Sequence, residues 1–403
     1  MPKVNPDILR WARETAGLSP EAAVKKLSLL PARGASAIER LAALESGDDL
    51  PSRPMLVKMS KQYRRPLLTF YLSEPPQRGD RGQDFRKLPK GQSLANDPLL
   101  DALIRDVLAR QSMVRSAMED EEDISPLPYV GSKRMSDGNA NVLASIQSVL
   151  QISLDDFRSQ SSPREAFAAL RRTAEEAGIF VLLIGNLGTH HTTIELKAFR
   201  GFALADEVAP FVVINDQDSD AAWSFTLLHE LTHIWLGQTG ISGARAERAI
   251  ERFCSDVASE FLLPRDELEQ FDLADSTNIQ DTVNWISQFG AHRKLSGSLV
   301  AYRLYRAGSI DKETWQNLDT VFTKMWLATR DDQRQKSRNQ EGGPNYYIVR
   351  RYRVGGALLD LVDRLVAAGD LTTSKAGKVL GVKAKQVQTL LEARHHTGVH
   401  RPA

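Results

Sequence analysis

The sequence predicts a mostly helical α+β protein, and three observations lead to that class. Apolar residues recur at helical spacing along most of the chain. Short β-branched and apolar runs that fit strands cluster in the central stretch 179–215. At 403 residues the chain is too long for one hydrophobic core, so two or three units are expected. We predict a helical module at 1–72, a linker at 73–95, a central domain with a small sheet at 96–310 and a helical carboxy-terminal region at 311–403.

Four short helices are predicted in the amino-terminal module, and proline stands where two of them begin, a position that its fixed φ suits. They cover 7–16, a segment that starts at Ser19-Pro20, 36–45 and 54–63. The following stretch, 73–93, is rich in Pro, Gly, Arg and Asp and poor in apolar residues, which is typical of a linker.

The central and carboxy-terminal parts combine a few strands with many helices. Helices are predicted from about residue 99 to the acidic run 119–123, and at 163–177, 244–263, 277–288 and 296–306. Strands are predicted at 179–184, 201–204 and 211–215. We interpret 330–344 as a polar, charged loop, and the tail as two short helical segments separated by Gly381 and ending near residue 400.

Charge is unevenly distributed along the chain. Residues 1–72 carry 12 Lys/Arg against 7 Asp/Glu, and residues 350–403 carry 10 against 4, although the whole chain has a net charge of only +1. Both ends therefore favour a polyanionic partner.

The cysteine content and the hydropathy indicate in which cellular compartment the protein is expected. A single cysteine, Cys254, excludes an internal disulfide and fits a reducing environment. The densest apolar run, 179–184, is too short for a signal peptide or a membrane span. A cytoplasmic protein without a membrane partner is expected.

The segment His229-Glu230-Leu231-Thr232-His233 has the spacing of a metal site on a helix. Residues four apart share a helix face, roughly 6 Å apart along the axis, so two imidazoles can reach one ion. Glu230, beside the two ligands, can take a proton from an attacking water as a general base and pass it to a leaving amine. The alternative is a chance pattern with two buried, metal-free histidines. The apolar residues around the segment argue against that alternative, because burying such polar groups without partners costs several kcal/mol.

A catalytic zinc site uses three protein ligands, so a third one is expected downstream. The candidates on the next predicted helix are Glu247, Glu251, Asp256 and Glu260, and spacing alone favours Glu251 only weakly. Cys254 lies on roughly the same helical face as Glu251, but a buried core cysteine is the favoured interpretation.

These residues carry a resemblance to a known family, the ImmA/IrrE metallopeptidases. The similar segments are 225–233, 251–255 and 260–264, with the upstream strands 199–204 and 209–215. Residues 65–72 and 84–86 are similar to the junction of members that carry an amino-terminal helix-turn-helix of the phage-repressor (XRE-like) type.

The resemblance implies a zincin-like (gluzincin) peptidase domain that holds Zn²⁺ with His229, His233 and Glu251 and uses Glu230 as the base. One departure is visible, because Ser255 stands where relatives usually have Asn. A hydrogen bond that supports a ligand is therefore expected to be weaker or to come from elsewhere.

The sequence does not decide which residues contact the substrate. Candidates for stabilising the oxyanion are His292, Tyr302 and Arg303, each of which is more often structural. The candidate sheet edge for an extended substrate is the strand 201–204, with Phe202 as a contact residue.

Two segments resemble DNA-binding helix pairs. In the amino-terminal module the would-be recognition segment 30–45 offers only Arg33 and Arg40 for reading bases. Phosphate contacts are assigned there to Lys58, Lys61, Arg64 and Arg65, and a degenerate module for protein contacts is the alternative. The tail segment 371–385 also has helix-turn-helix rhythm and four lysines, although many solvated helix pairs look the same.

Two functions from different classes remain. The resemblance implies a regulatory endopeptidase that cuts one protein partner, typically a repressor or antitoxin encoded by a neighbouring gene, and so releases a stress, phage-defence or toxin–antitoxin response. The alternative is a DNA-binding regulator or antitoxin in which the metal fold serves as sensor or scaffold. A homodimer is compatible with either function. Glu230 favours the peptidase, since a scaffold has no need of a base.

Overall fold

The computed structural model describes residues 4–32, 34–76, 98–120, 124–238, 245–268, 279–338 and 345–392. The chain divides into two compact units. The first holds the described residues up to Val107 together with Leu187–Ile194, and the second holds the remainder. Most of the predicted linker lies outside the described residues, and the predicted boundary at residue 310 falls inside the second unit. The four-part division therefore stays a prediction.

The first unit confirms the four predicted short helices. They are α1 (Pro6–Thr15), α2 (Pro20–Leu27), α3 (Ala37–Ser46) and α4 (Arg53–Tyr63), followed by a 3₁₀ turn at Leu67–Tyr71. Serine side chains accept hydrogen bonds from first-turn N–H groups of α2, α3 and α4, which fixes where each begins. Buried apolar residues such as Leu9, Leu41 and Met59 form its core. The helix-turn-helix identity of this unit stays a prediction.

A three-stranded sheet lies in the second unit, as the sequence predicts. The strands are β1 (Phe180–Leu183), β2 (Gly201–Leu204) and β3 (Phe211–Ile214). Their order is β1-β3-β2, with β1 parallel and β2 antiparallel to the central β3. Strand β2 is therefore an edge of the sheet.

Helices surround this sheet in the second unit. Their bounds are α5 (Pro98–Glu119), which begins in the first unit, α6 (Asn139–Leu150), α7 (Leu154–Arg158), α8 (Pro163–Glu176), α9 (Asp220–Trp235), α10 (Arg245–Leu262), α11 (Arg265–Leu268), α12 (Ile279–Arg293), α13 (Gly297–Ala307), α14 (Lys312–Arg338), α15 (Tyr346–Val354), α16 (Gly356–Ala368), α17 (Thr373–Leu380) and α18 (Ala384–Glu392). Helix α9 packs against β2, β3, α8 and α10. It thus lies at the centre of the main apolar core.

The predicted loop at 330–344 is wrong for its first part, because α14 continues to Arg338. Leu318 and Phe322 are buried in the first half of this helix and anchor it. The next turns consist largely of Arg, Lys, Gln and Asp without Gly or Pro, and most of these residues tolerate a helix well. An exposed helical extension needs no apolar face of its own, so its polarity resembles that of a loop. Residues 339–344 lie outside the described residues.

Other helices of the second unit were not given bounds from the sequence. Helices α6 and α7 fall in a stretch where no element is predicted, and α15 and α16 fall in the region 311–403 that is predicted to be helical as a whole. The two tail helices, α17 and α18, are confirmed on either side of Gly381, whereas the predicted end near residue 400 lies outside the described residues. None of the helices in the described ranges is both long and apolar enough for a membrane span.

Candidate metal centre

Helix α9 carries the histidine pair and is buried on nearly every side. Ser219 begins it, since its hydroxyl accepts a hydrogen bond from the Ala222 N–H at 3.3 Å. Leu227, Leu231 and Trp235 are fully buried in the core between the sheet and the neighbouring helices. This rigid packing holds the polar side chains of the same helix in place.

Helix α10 packs along α9 and brings one carboxylate to the two imidazoles. Glu251 places Oε2 3.2 Å from His229 Nε2 and Oε1 2.9 Å from His233 Nε2. The two Nε2 atoms lie 3.2 Å apart. Across the described ranges, these residues form the one group of three or more His, Cys, Asp or Glu side chains close enough to share a metal ion.

The distances between the donor atoms of His229, His233 and Glu251 fit ligands of one metal ion. With metal–ligand bonds of about 2.0–2.2 Å at tetrahedral angles, donor atoms lie about 3.3–3.6 Å apart. The three separations of 2.9–3.2 Å are slightly smaller, so a small expansion accommodates a cation. Two imidazole nitrogens and one carboxylate are also the donor types that zinc takes in catalytic sites. The residues present therefore fit a divalent cation.

Ser255 lies one turn beyond Glu251 and supports a ligand. Its Oγ is 3.3 Å from His229 Nδ1. When Nδ1 carries the proton, it donates to this hydroxyl, and the Nε2 lone pair faces His233 and Glu251. The serine that departs from the family pattern thus supplies a hydrogen bond to the histidine itself, at a long distance.

The carboxylate of Glu251 is ionised in this arrangement. Burial raises its pKa, but hydrogen bonds from His229 and His233 outweigh burial and lower the pKa to about 2. A bound cation would favour the ionised form in the same way.

Glu230 has the opposite electrostatic environment. It is 5% exposed, and burial raises its pKa to about 8, with His233 opposing the shift and the charge of Glu251 adding to it. A cation at the neighbouring donors would lower this pKa, because it would stabilise the carboxylate. A carboxyl group whose pKa lies near neutrality is suited to exchanging protons.

The other carboxylates on α10 are engaged elsewhere. Asp256 accepts hydrogen bonds from Tyr302 at 3.2 Å and from Arg306 at 2.6 Å, and Glu260 accepts one from Arg303 at 2.6 Å. Helix α13 therefore occupies Asp256 and Glu260, and Glu251 is the one brought to the histidines. The side chain of the fourth candidate, Glu247, lies outside what the structure describes.

The three predicted oxyanion donors have different surroundings. The hydroxyl of Tyr302 and the guanidinium of Arg303 bond to Asp256 and Glu260. His292 is exposed in the last turn of α12. No contact joins any of the three to the histidine pair, and their catalytic role stays a prediction.

Cys254 is fully buried beside the cluster but is not part of it. Burial, together with the nearby charges of Glu251 and Glu230, raises the pKa of this thiol. A neutral thiol is a poor metal ligand, which agrees with the interpretation of Cys254 as a core residue.

The edge strand β2 approaches α9 through Gly201, for which the sequence predicts a place in the strand but no role at the site. A Cβ on Gly201 would lie 2.5 Å from Thr226 Cγ2 and 2.9 Å from Glu230 Oε1. A glycine inside a strand often marks such a close approach and is the signal that could have found it. Phe202, the predicted contact residue, is fully buried with its ring centroid 5.9 Å from that of Phe199.

Several of the predicted DNA-contacting side chains make intramolecular contacts. Arg40 donates to the Leu30 carbonyl, and Lys58 donates to the Leu27 carbonyl at 2.8 Å. Lys61 is exposed. Arg33 lies outside the described residues.

The two arginines at the end of α4 are half-buried. Arg65 donates to Thr15 Oγ1 at 2.8 Å and stacks over Trp11 at 4.2 Å. Arg64 caps α4, and burial lowers its pKa. Neither guanidinium stands on an open face, and the DNA contacts assigned to this unit stay a prediction.

Comparison with known proteins identifies one related domain. Residues 175–305 match the model of the peptidase M78 family, described as an IrrE N-terminal-like domain. This range, about a third of the chain, runs from the end of α8 to α13 and contains the sheet and the histidine helix. No curated protein and no solved structure matches the chain significantly. The match supports the ImmA/IrrE resemblance and a metallopeptidase-like function.

Proposed function

We propose that this chain is a zinc-dependent endopeptidase that cuts a specific protein partner. The observation that carries the proposal is the buried carboxylate of Glu230 on the same helix as His229 and His233, beside a cluster that fits a divalent cation. The match to a peptidase family over 175–305 supports the reaction class. A purely structural metal site is usually closed by four protein ligands and has no use for a buried base.

The roles follow from the geometry. His229, His233 and Glu251 hold Zn²⁺, which when bound would polarise the scissile carbonyl and increase the acidity of a water. Glu230 takes a proton from the attacking water at its carboxylate and delivers it to the leaving amine nitrogen. Ser255 orients the His229 ring through Nδ1.

Strand β2 contacts Glu230 through Gly201, which is half-buried, whereas Phe202, Ala203 and Leu204 are buried. The Asn215 N–H donates to the Arg200 carbonyl at 2.8 Å, so position 200 is a hydrogen-bonded pair of the antiparallel ladder. Such pairs alternate, and the N–H and C=O groups of Gly201 and Ala203 therefore point away from β3. Within the described parts of the chain no further strand pairs with this edge. We propose that an extended substrate pairs with this edge at the half-buried Gly201, next to Glu230.

One of the three predicted donors suits the oxyanion better than the others. In the described part of the chain, His292 is exposed and makes no hydrogen bond, whereas the polar atoms of Tyr302 and Arg303 bond to carboxylates. A donor must be available to the developing charge. By this criterion of availability, His292 is the preferred candidate of the three.

The proposed substrate is a transcriptional repressor or antitoxin encoded by a neighbouring gene, whose cleavage releases a stress, phage-defence or toxin–antitoxin response. A peptidase with one partner can use further surfaces of the chain to select it, and about two thirds of this chain lies outside the matched range. The alternative is a DNA-binding regulator in which the metal site is a scaffold. It does not explain why the carboxylate of Glu230 is buried beside the metal ligands, because a scaffold needs no general base.

The test is co-expression of the chain with the product of each adjacent gene, followed by mass spectrometry of the fragments. Wild type should cleave one of them, and Glu230→Gln should lower the rate at least about 100-fold while its zinc content stays the same. Glu260→Gln, a matched change in a carboxylate bound to Arg303, should retain cleavage. Cleavage by Glu230→Gln at the wild-type rate would contradict the proposal. So would operator binding by wild type without any cleavage.

A further inference from the structure

The last two described helices form a compact helix-turn-helix that the peptidase site does not use. Helix α17 ends at Leu380, and α18 begins at Ala384. Gly381, in the turn between them, has a left-handed φ of +64°. A turn of three residues with a glycine is the geometry that places two short helices at a steep angle.

Close packing fixes the angle between these helices. A Cβ on Gly377 would lie 2.9 Å from the Val382 carbonyl oxygen and 3.1 Å from the Ala384 nitrogen. The backbone of α17 therefore rests directly on the start of α18, which a larger residue at 377 would prevent. Both helices contribute buried apolar side chains, namely Ala376, Val379 and Leu380 from α17 and Val387, Leu390 and Leu391 from α18.

An arginine of the same unit anchors the turn. Arg350 on α15 donates to the Leu380 carbonyl at 2.5 Å and to the Gly381 carbonyl at 2.9 Å. It thereby satisfies the carbonyl groups at the end of α17 and adds positive charge beside the turn. The helix pair is thus held as part of the second unit rather than as a loose tail.

The outer face of the pair is cationic. Lys375, Lys378, Lys383 and Lys385 are all exposed, and none forms an ion pair with a described residue. The sequence contains no Asp or Glu from Leu371 to Leu391, and Glu392, the last residue of α18, is the one carboxylate within the two helices. Four uncompensated lysines on one short helix pair attract a polyanion.

The exposed positions of α18 are of types that read base edges. Lys385, Gln388 and Thr389 are exposed on the side opposite the buried residues, and the Gln388 amide donates to Glu392 Oε1 at 2.9 Å. Lysine and glutamine bond to guanine and adenine edges in the major groove, and threonine contacts either bases or the thymine methyl group. Helix α3, the would-be recognition helix of the first unit, offers fewer such groups, and its Arg40 is bound to Leu30.

We propose that the α17–α18 pair binds duplex DNA, with α18 in the major groove and Lys375, Lys378 and Lys383 on phosphates. An RNA duplex is a poorer ligand, because its deep, narrow major groove does not admit a helix. The inference does not depend on the peptidase, since no residue of the metal centre takes part. A chain with both sites would place its protease on DNA, where a repressor partner is bound.

The test uses the full chain and a fluorescent duplex of about 30 base pairs, with anisotropy measured between about 50 and 200 mM salt. Wild type should bind with a roughly micromolar Kd at the low-salt end, and binding should weaken as salt rises. The double variant Lys383→Glu/Lys385→Glu should weaken binding at least about tenfold. Lys378→Ala/Lys383→Ala, which removes two of the proposed phosphate contacts, should lower the salt slope by about 2, close to 0.9 per lost contact.

Matched controls locate the contact. Lys312→Glu/Lys324→Glu makes the same charge change on exposed positions of α14 and should leave binding within about threefold. Lys58→Glu/Lys61→Glu tests the first unit and should also retain binding. Equal melting temperatures for all variants show that folding is unchanged. Loss of binding with the first-unit variant alone, tighter binding to RNA of equal length, or no binding by wild type would overturn the proposal.

Discussion

Gly201 lies directly against Glu230, with room for a hydrogen atom but not for a methyl group. A Cβ at this position would lie 2.9 Å from Glu230 Oε1 and 2.5 Å from Thr226 Cγ2. The absence of a side chain therefore lets the sheet edge approach the base. This contact between Gly201 and Glu230 would bring a substrate paired with β2 close to the carboxylate that acts as the base.

Gly201→Ala should displace Glu230 and lower the cleavage rate about 10- to 100-fold, since small displacements of a catalytic group cost that much. The second variant, Gly201→Ala/Thr226→Ser, removes Cγ2 and should recover part of the rate. Zinc content should be normal in both. Full activity of Gly201→Ala would show that the contact is not needed to position the base.

Glu251→Ala should remove the metal. Two imidazoles alone bind zinc weakly, so purified protein should contain well under one zinc per chain by elemental analysis. Asp256→Asn and Glu260→Gln change carboxylates on the same helix that bond to Tyr302, Arg306 and Arg303, and they should keep the metal. Unchanged zinc in Glu251→Ala would refute its assignment as the third ligand.

Ser255→Ala should weaken zinc binding about 10- to 100-fold, because residues that orient a ligand have effects of that size. Competition with a chelator measures the affinity. Ser255→Asn restores the residue that relatives usually have and should bind zinc at least as tightly as wild type. Ser259→Ala, one turn further along α10 with its hydroxyl on the Asp256 carbonyl, is the control. Equal affinities for Ser255→Ala and Ser259→Ala would show that the long hydrogen bond to His229 is without effect.

Glu267→Gln should reduce stability in a pH-dependent way. Burial raises the pKa of Glu267, but hydrogen bonds from Arg158 and Arg293 outweigh it, so the folded-state pKa is lowered. A lowered pKa contributes stability above the unfolded value of about 4.3, and that contribution is lost as pH falls through the folded value. Urea unfolding should show a loss of about 1 kcal/mol at neutral pH that shrinks below about pH 4.

Glu313→Gln, an exposed carboxylate in the first turn of α14, should show a much smaller loss at neutral pH. A loss for Glu267→Gln that is the same at neutral and acidic pH would contradict the electrostatic account.

Short-range sequence patterns predict many of the helices and all three strands that the structure describes. Serine caps, prolines at helix starts and apolar periodicity predict α1 to α4, α8, α10 and α13 to within one or two residues at each predicted end. Short runs of β-branched and apolar residues predict β1, β2 and β3 with similar accuracy. The loop prediction is wrong for 330–338, the last third of α14, because an exposed polar helix and a polar loop differ little in composition.

What the sequence alone determined is the pairing of His229 with His233 and the place of Glu230 beside them, because helical spacing is a local property. Spacing alone left four carboxylates on α10 as candidates for the third donor, and the family resemblance implied Glu251. The tertiary structure sets Glu251 against the imidazoles and binds Asp256 and Glu260 to α13. The position of β2 at the edge of the sheet and its contact with Glu230 were likewise decided by strand order and by a missing Cβ. Distances between residues far apart in the chain depend on how whole helices and strands pack, and no local pattern encodes them.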